Sequence, residues 1–203
     1  MEVKKTRKTD RRTVYTRKII KDTLIGLLDE GTHAEKITVS RICKISQINR
    51  CTFYLHYSDV YSVLGELQKE VEDVLTKCVN ASLSDESRRQ DICGVLFASL
   101  RENKIYQVLS RCNLTSTILK RVFEYSKTLL ANLCVETKQF KRREAELFAL
   151  FLISGCAAVS EDQVFNNWKS FEKDNKFVTK ILDQLYAMLD IGKINLALQR
   201  GKQ

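Results

Sequence analysis

The sequence predicts an almost wholly helical protein. None of its 203 residues is proline, although average usage of about 5% would give about ten, and proline breaks helix interiors. Only seven residues are glycine. No segment keeps the alternation of apolar and polar residues, bounded by turn dipeptides, that predicts strands. With 44% hydrophobic and 29% charged residues, the chain is long enough for one large or two small domains with a real core.

The first predicted helix covers about residues 13–30. Its apolar positions recur at i, i+4, i+7 and i+8, which gives one face for packing. Gly31 follows as a helix stop, because glycine readily takes the left-handed conformation that ends helices. The apolar positions are Ile20, Leu24, Leu27 and Leu28.

Two short helices joined by a tight turn are predicted between Thr38 and Tyr57. Asn49 has the side chain of an N-cap, so we expect the second helix to begin at Arg50. The inward positions are Val39, Ile42 and Cys43 on the first helix and Ile48, Phe53 and Tyr57 around the second. The outward positions combine donors, hydroxyls and flat rings, which can contact bases and phosphates when a helix enters a major groove. These positions are Arg50, Thr52, Tyr54, Leu55 and His56.

This segment resembles the N-terminal DNA-binding domain of the TetR family of bacterial transcription regulators. The resemblance covers about the first third of the chain and rests on Thr38, Val39, Ile42, Ile48, Thr52, Phe53, Tyr54, His56 and Tyr57. Where the family usually has Ala-Gly in the turn, this chain has Ser46 and Gln47, so we expect Gln47 in the left-handed conformation. The family often has a phosphate-binding Lys at the start of the fourth helix. Here Val60 occupies that place, after the predicted caps Ser58 and Asp59, so we expect no such phosphate contact.

We predict that Arg50 reads a base, since a guanidinium can bridge O6 and N7 of guanine. Ser40, Thr52 and Tyr54 are predicted to support it through base or phosphate contacts. The predicted DNA contacts that complete the set are Arg11, Arg12, Thr38, Gln47, His56 and Tyr57. Of these, Thr38, His56 and the two arginines are expected on the phosphate backbone.

Positive charge is concentrated at the N-terminus. Residues 1–21 contain nine Lys and Arg against Glu2 and Asp10, and so hold most of the formal net charge of +9. A cationic segment gains affinity for a duplex by releasing condensed counterions. The alternative is a solvated charge run that keeps the protein soluble. The nine cations are Lys4, Lys5, Arg7, Lys8, Arg11, Arg12, Arg17, Lys18 and Lys21.

The remaining two thirds of the chain predict a larger helical domain, so we divide the chain into a DNA-binding domain, 1–58, and an effector-binding and dimerisation domain, 59–203. Apolar stripes predict helices near 59–81, 92–100, 105–109, 115–135, 141–159 and 177–189, with a polar loop at 82–88. The apolar stripe of the first of these helices is Leu64, Leu67, Val71, Val74, Leu75 and Cys78.

Residues 147–159 are apolar nearly all round, so we expect burial on most sides. They are too few to span a bilayer, and without a secretory signal we expect a cytoplasmic protein.

The small residues at 154–158 would let another helix approach closely. The family resemblance implies that helices 141–159 and 177–189 pair with their counterparts in a homodimer; alternatively, both close the core of one chain. A dimer holds two recognition helices about 34 to 36 Å apart, as a palindromic operator requires.

One C-terminal segment resembles a TetR subgroup that includes regulators of dihydroxyacetone kinase operons. The resemblance rests on Phe151, Leu152, Ile153, Ser154, Gly155 and, at a longer spacing, Trp168.

Other chemistry has little support in the sequence. The seven cysteines form no C-x-x-C pair and only two histidines are present, so we expect no metal site. Most cysteines are expected to be small buried hydrophobes. Nucleotide-binding glycine loops and nucleophile elbows are missing, so we expect no enzyme and no cofactor.

The sequence therefore predicts a sequence-specific DNA-binding regulator, a repressor released by an unknown small effector. Two alternatives stay open. One is a helical adaptor whose basic segment binds an acidic protein. The other is a regulator whose cysteines respond to oxidants or soft metals.

Overall fold

The computed structural model describes residues 6–84, 92–136 and 140–166, together with the helical positions Phe177, Lys180, Ile181 and Gln184. Throughout these ranges the chain forms helices and turns and contains no strand, which confirms the predicted fold class. We number the α-helices in chain order, and a short 3-10 helix, Ala34–Lys36, follows the first. The helices are α1 Thr6–Asp29, α2 Val39–Ser46, α3 Arg50–Tyr54, α4 Val60–Ser84, α5 Ile92–Glu102, α6 Lys104–Arg111, α7 Ser116–Glu136 and α8 Arg142–Asn166.

Several predicted boundaries need correction. The first helix begins at Thr6 rather than near residue 13. Residues 6–12 include four Lys and Arg, which favour helix, but no apolar stripe that would reveal it. The fourth helix runs through Ser84, into the predicted loop, and the last described helix extends to Asn166. Most of the predicted helix 177–189, Trp168 and the side chain of Cys93 lie outside the described residues.

The described chain divides into two compact units. The first contains the described residues up to Val71 together with Asn103–Ser116; the second contains those of Glu72–Glu102 and those from Thr117 onward. The first unit thus takes in more than 1–58, since the start of α4 and the whole of α6 group with α1–α3. No local sequence signal marks that grouping, because it depends on tertiary contacts.

The core of the first unit lies where α1, α2, α3, α4 and α6 bury their apolar faces. The predicted stripe of α1 is confirmed, with all four members at most 3% exposed. The largest buried side chains of this unit are Ile20, Leu24, Ile42, Phe53, Val63, Leu67, Val71, Val108 and Leu109. The side-chain amide of Gln68 on α4 donates a 2.9 Å hydrogen bond to the carbonyl of Leu114, and Arg111 forms an ion pair with Asp29 at the end of α1. These contacts fix α6 within the unit.

The second unit has its own core, formed by α5, α7, α8 and the later part of α4. Its buried side chains include Val79, Leu100, Ile118, Val122, Leu130, Leu133, Ala145, Ala149 and Leu152. The hydroxyl of Tyr125 on α7 donates a 2.8 Å hydrogen bond to Asn80 on α4. Val74, predicted to be buried, is 40% exposed, and Val79 lies in the core instead.

The prediction that residues 147–159 are buried on most sides is wrong for the single chain. Ala145, Ala149 and Leu152 face the core, but Phe151 is 73% exposed and Leu147 and Leu150 are each 48% exposed. Ser154 and Ala158 are exposed as well. These five exposed residues fall at i, i+3, i+4, i+7 and i+11, so they form one stripe along α8.

Candidate nucleic-acid interface

The two predicted short helices, α2 and α3, are each capped at their N-terminus by a side chain. The hydroxyl oxygen of Thr38 accepts a 3.3 Å hydrogen bond from the backbone N–H of Arg41. The side-chain oxygen of Asn49 accepts a 2.9 Å hydrogen bond from the N–H of Cys51, which confirms it as the N-cap and Arg50 as the first residue of α3. Both bonds satisfy backbone donors that have no partner within the helix.

The turn between these helices depends on Gln47, which adopts the expected left-handed conformation with φ 55° and ψ 35°. Its N–H and that of Ile48 both bond to the carbonyl of Cys43, so the end of α2 is closed by backbone hydrogen bonds. A residue with a Cβ is strained in this conformation. The side chain of Gln47 is exposed.

Phe53 fixes α3 to the body of the first unit. Its side chain is completely buried, with its ring 5.9 Å from that of Tyr57 and in edge contact with Tyr54 at 5.6 Å. Because α3 has only five residues, burial of this large side chain strongly restrains its orientation. The side chains at the other positions of α3 are therefore held towards solvent.

Most of the predicted DNA-contacting side chains are exposed, as such contacts require. Arg50 and Tyr54 on α3 are exposed, and Thr52 is partly exposed. His56 is partly exposed and follows α3 rather than lying within it. The remaining exposed members of the predicted set are Arg11, Arg12, Thr38, Ser40 and Gln47.

Arg50 and Ser40 contact each other. A terminal nitrogen of the Arg50 guanidinium, Nη2, donates a hydrogen bond to Oγ of Ser40, which joins the first turn of α3 to the first turn of α2. Both residues are exposed, so this pair lies on the surface that the capped helices present.

Tyr57 needs a correction. Its side chain is only 6% exposed, and its hydroxyl donates a 2.8 Å hydrogen bond to a carboxylate oxygen of Glu66 on α4. The guanidinium of Arg17 lies over the Tyr57 ring, 4.9 Å from its centre. Tyr57 is therefore a core residue that links the end of the α3 segment to α4, as its inward position in the helical pattern also predicted.

Glu66 is the centre of a charged cluster. It accepts hydrogen bonds from Arg17 and Tyr57 and lies 3.0 Å from Nζ of Lys21, which also bonds to Glu70. Burial opposes ionisation of Glu66, but the hydrogen bonds from Arg17, Lys21 and Tyr57 outweigh it and lower its pKa to about 2. Burial and the hydrogen bond to this carboxylate raise the pKa of the Tyr57 hydroxyl.

This cluster reduces the positive charge available for a DNA phosphate. Arg17 and Lys21 belong to the nine N-terminal cations, but both are paired with carboxylates of α4 and fasten α1 to it. This pairing is not visible in the local sequence, because Arg17 and Lys21 are each 49 residues away from their hydrogen-bonded partners along the chain. Arg11 and Arg12 remain exposed on the first half of α1.

Tyr61 is an exposed residue that the sequence pattern did not single out: it lies in the first turn of α4 and is 60% exposed. Asp59 and Ser62 form a reciprocal cap at the start of α4. The Asp59 carboxylate accepts a 2.7 Å hydrogen bond from the N–H of Ser62, and the Ser62 hydroxyl accepts a 3.3 Å hydrogen bond from the N–H of Asp59. The prediction of Asp59 as a cap is thus confirmed. The position of Tyr61 two residues after this cap is the signal that could have identified it as outward-facing.

The cysteines are less buried than predicted. Of the six whose side chains are described, Cys43 and Cys134 are buried, whereas Cys51 is exposed and the others are partly exposed. Burial raises the pKa of Cys43, although the charge of Arg50 lowers it, and burial raises the pKa of Cys134 to about 11. These two thiols therefore stay protonated at neutral pH. Within the described ranges, no group of three or more His, Cys, Asp or Glu side chains is arranged to hold a metal ion.

None of the described helices has the length and apolar composition that crossing a membrane requires.

No protein family model matches the chain. Over 114 residues, 54% of this chain, it is 28% identical to YxbF of Bacillus subtilis (strain 168), an uncharacterised HTH-type transcriptional regulator. The chain spans 30% of the length of that relative.

Among solved structures, the chain resembles the fatty acid degradation regulator FadR from Bacillus halodurans. The TM-score is 0.55 at 16% identity, and the alignment covers 86% of this chain and 95% of FadR. At this level of identity the similarity concerns the fold alone. The chain thus has an all-helical fold similar to that of a structurally known bacterial regulator.

Proposed function

We propose that the protein is a sequence-specific DNA-binding transcription regulator of the TetR type, and that it represses genes until a small effector releases it. The observation that carries the proposal is the exposed first turn of α3. Caps at Thr38 and Asn49 and the buried ring of Phe53 hold this turn in place. An α-helix with its side chains is about 10 to 12 Å in diameter, so an exposed helix of this kind can enter a major groove about 12 Å wide.

The roles of the side chains follow from their positions. Arg50, at the first position of α3, contacts base edges, and Thr52 and Tyr54 contact bases or phosphates beside it. Arg11 and Arg12 on α1 supply the salt-dependent attraction to phosphates. The similarity to an HTH-type regulator over 114 residues supports this assignment.

A homodimer is part of the proposal. The exposed stripe of α8, with Leu147, Leu150 and Phe151 at its apolar end and small residues further along, is suited to close packing against the same helix of a second chain. Phe177 and Ile181, four residues apart, are also exposed. Pairing of these faces would remove apolar surface from water and present two recognition helices to a palindromic operator.

Effector control would act through α6. Asn103–Ser116 groups with the first unit, although the residues before and after it in the chain belong to the second. Such an effector would bind more tightly to a dimer whose two DNA-binding units are separated differently from those of the operator-bound dimer. Operator affinity then falls by as much as the effector's affinities for these two forms differ. The ion pair between Arg111 and Asp29 and the hydrogen bond from Gln68 to Leu114 are the contacts that would carry such a shift to α1 and α4.

A mobility-shift titration of the full chain on duplex DNA from upstream of its own gene tests the proposal. We expect a discrete complex that survives competition by excess scrambled duplex of the same length and composition, and that weakens steeply with salt. Equal competition by scrambled DNA would contradict sequence-specific binding. Failure to bind any duplex at low salt would favour the adaptor alternative.

A further inference from the structure

We infer that Ser40 is a positioning residue for Arg50. Ser40 holds the Arg50 guanidinium in place for base recognition and does not itself contact DNA. The inference rests on the proposed function and assigns specificity within it. It starts from the hydrogen bond that Arg50 donates to Oγ of Ser40.

The hydrogen-bond partner of Arg50 determines how much positive charge this side chain offers to DNA. Arg17, Lys21 and Arg111 are each paired with a carboxylate, which neutralises their charge within the protein. Among the described residues, no carboxylate forms an ion pair with Arg50. Its partner is a neutral hydroxyl, which restrains the guanidinium but leaves its positive charge for the DNA.

The donor count of the guanidinium allows both contacts together. Arginine has five N–H donors in a planar fork, and a bidentate contact with O6 and N7 of guanine uses two of them. The bond to Ser40 uses one N–H on Nη2. Enough donors are left for one guanine without breaking the bond to Ser40.

The restraint has an effect because Arg50 is exposed and long. A free arginine side chain loses rotamer entropy when it is immobilised. The Arg50 side chain, already held by Ser40, loses less rotamer entropy when it binds DNA. Bases that require a different position of the guanidinium are disfavoured, because the bond to Ser40 would have to break. Exposed hydrogen bonds stabilise a fold little, so removing the Ser40 hydroxyl should change base preference more than folding.

In vitro selection with the full chain tests this on a duplex library carrying a randomised segment. Relative enrichment at each base pair is compared for the wild type, Ser40→Ala, Ser40→Thr, Arg50→Ala and the double variant. Ser46→Ala is the matched control, since it removes a hydroxyl from the same helix that bonds only to the carbonyl of Ile42.

We expect Arg50→Ala to abolish preference at one base pair and Ser40→Ala to reduce preference at that same base pair about two- to tenfold, the range of one net hydrogen bond. Ser40→Thr, which keeps the hydroxyl, should restore it. The double variant should match Arg50→Ala, since Ser40 acts only through Arg50. Thermal unfolding of Ser40→Ala should match that of the wild type.

An unchanged base preference in Ser40→Ala would overturn the inference. A loss at a different base pair would also overturn it and make Ser40 a direct DNA contact. If Arg50→Ala alters no position while the wild type still selects a motif, the inference fails and the proposed function stands. If the wild type enriches no sequence, the proposed function itself fails.

Discussion

Tyr57 and Glu66 join the recognition segment to α4: the tyrosine hydroxyl donates a 2.8 Å hydrogen bond to the carboxylate. The same carboxylate accepts from Arg17 on α1. One acidic side chain therefore connects three parts of the first unit. Because the side chain of Glu66 is 24% exposed, these bonds are shielded in part from water and matter more than a surface ion pair.

Glu66→Gln should destabilise the protein at pH 7 by roughly 1 to 3 kcal/mol, because Arg17 and Lys21 lose a partly buried partner. The pKa of Glu66 is lowered in the folded state from 4.5 to about 2, so its contribution is complete above pH 4.5 and is lost as the pH falls towards 2. Denaturant unfolding across that range should show the wild type and the variant converging. Glu35→Gln, at an exposed position of the same unit, is the control. A constant difference between wild type and Glu66→Gln down to pH 2 would contradict this prediction.

Gln47→Gly should raise the free energy of unfolding by about 0.5 to 1 kcal/mol, because glycine takes the left-handed conformation without a Cβ clash. Urea denaturation measures the change. Ser46→Gly, one residue earlier in regular helix, should instead destabilise by up to about 1 kcal/mol. Destabilisation by both substitutions would mean that the side chain of Gln47 contributes more than its backbone strain costs.

Arg50→Ala should weaken operator binding by about 1 to 3 kcal/mol and relax the preference at one base pair. Fluorescence anisotropy with the operator and with single-base variants measures both effects. Arg41→Ala, an exposed arginine on α2, is the matched control for loss of one charge. An equal loss on operator and random duplex would assign Arg50 to phosphate contact only.

Neutralising Arg11 and Arg12 together by substitution with Gln should make the salt dependence of DNA binding shallower. Each lost phosphate contact reduces the slope of log affinity against log salt by about 1, while base preference should stay the same. Lys77→Gln combined with Lys120→Gln, at exposed sites on α4 and α7, removes the same two charges and is the control. A slope that does not change would remove α1 from the DNA interface.

Phe151→Glu should convert the proposed dimer into a monomer, since it places a charge in the apolar stripe of α8. Analytical ultracentrifugation is expected to show half the wild-type mass, and operator affinity should fall because one recognition helix binds weakly alone. Lys120→Gln changes net charge by the same single unit away from this stripe and should stay dimeric. A wild-type chain that sediments as a monomer would refute the dimer itself.

The sequence was sufficient for features that depend on neighbouring residues. The left-handed conformation of Gln47 follows from the family resemblance, and the structure confirms it. The helical stripe of α1, the N-cap at Asn49 and the start of α3 at Arg50 follow from periodicity and capping preference, and each is confirmed as well. All of these are decided within a few residues along the chain, so the local pattern contains the information.

Tertiary structure decided the features that depend on distant partners. The pairing of Arg17 and Lys21 with Glu66 and Glu70, the grouping of α6 with the first unit and the contact between Ser40 and Arg50 join residues that periodicity cannot relate. Burial of Tyr57 moved it from the predicted DNA contacts to the core. Phe151, in contrast, was expected to be buried and is exposed. Its apolar helix indicates a surface that is stabilised by burial, but hydropathy does not specify whether that surface packs against the same chain or against another.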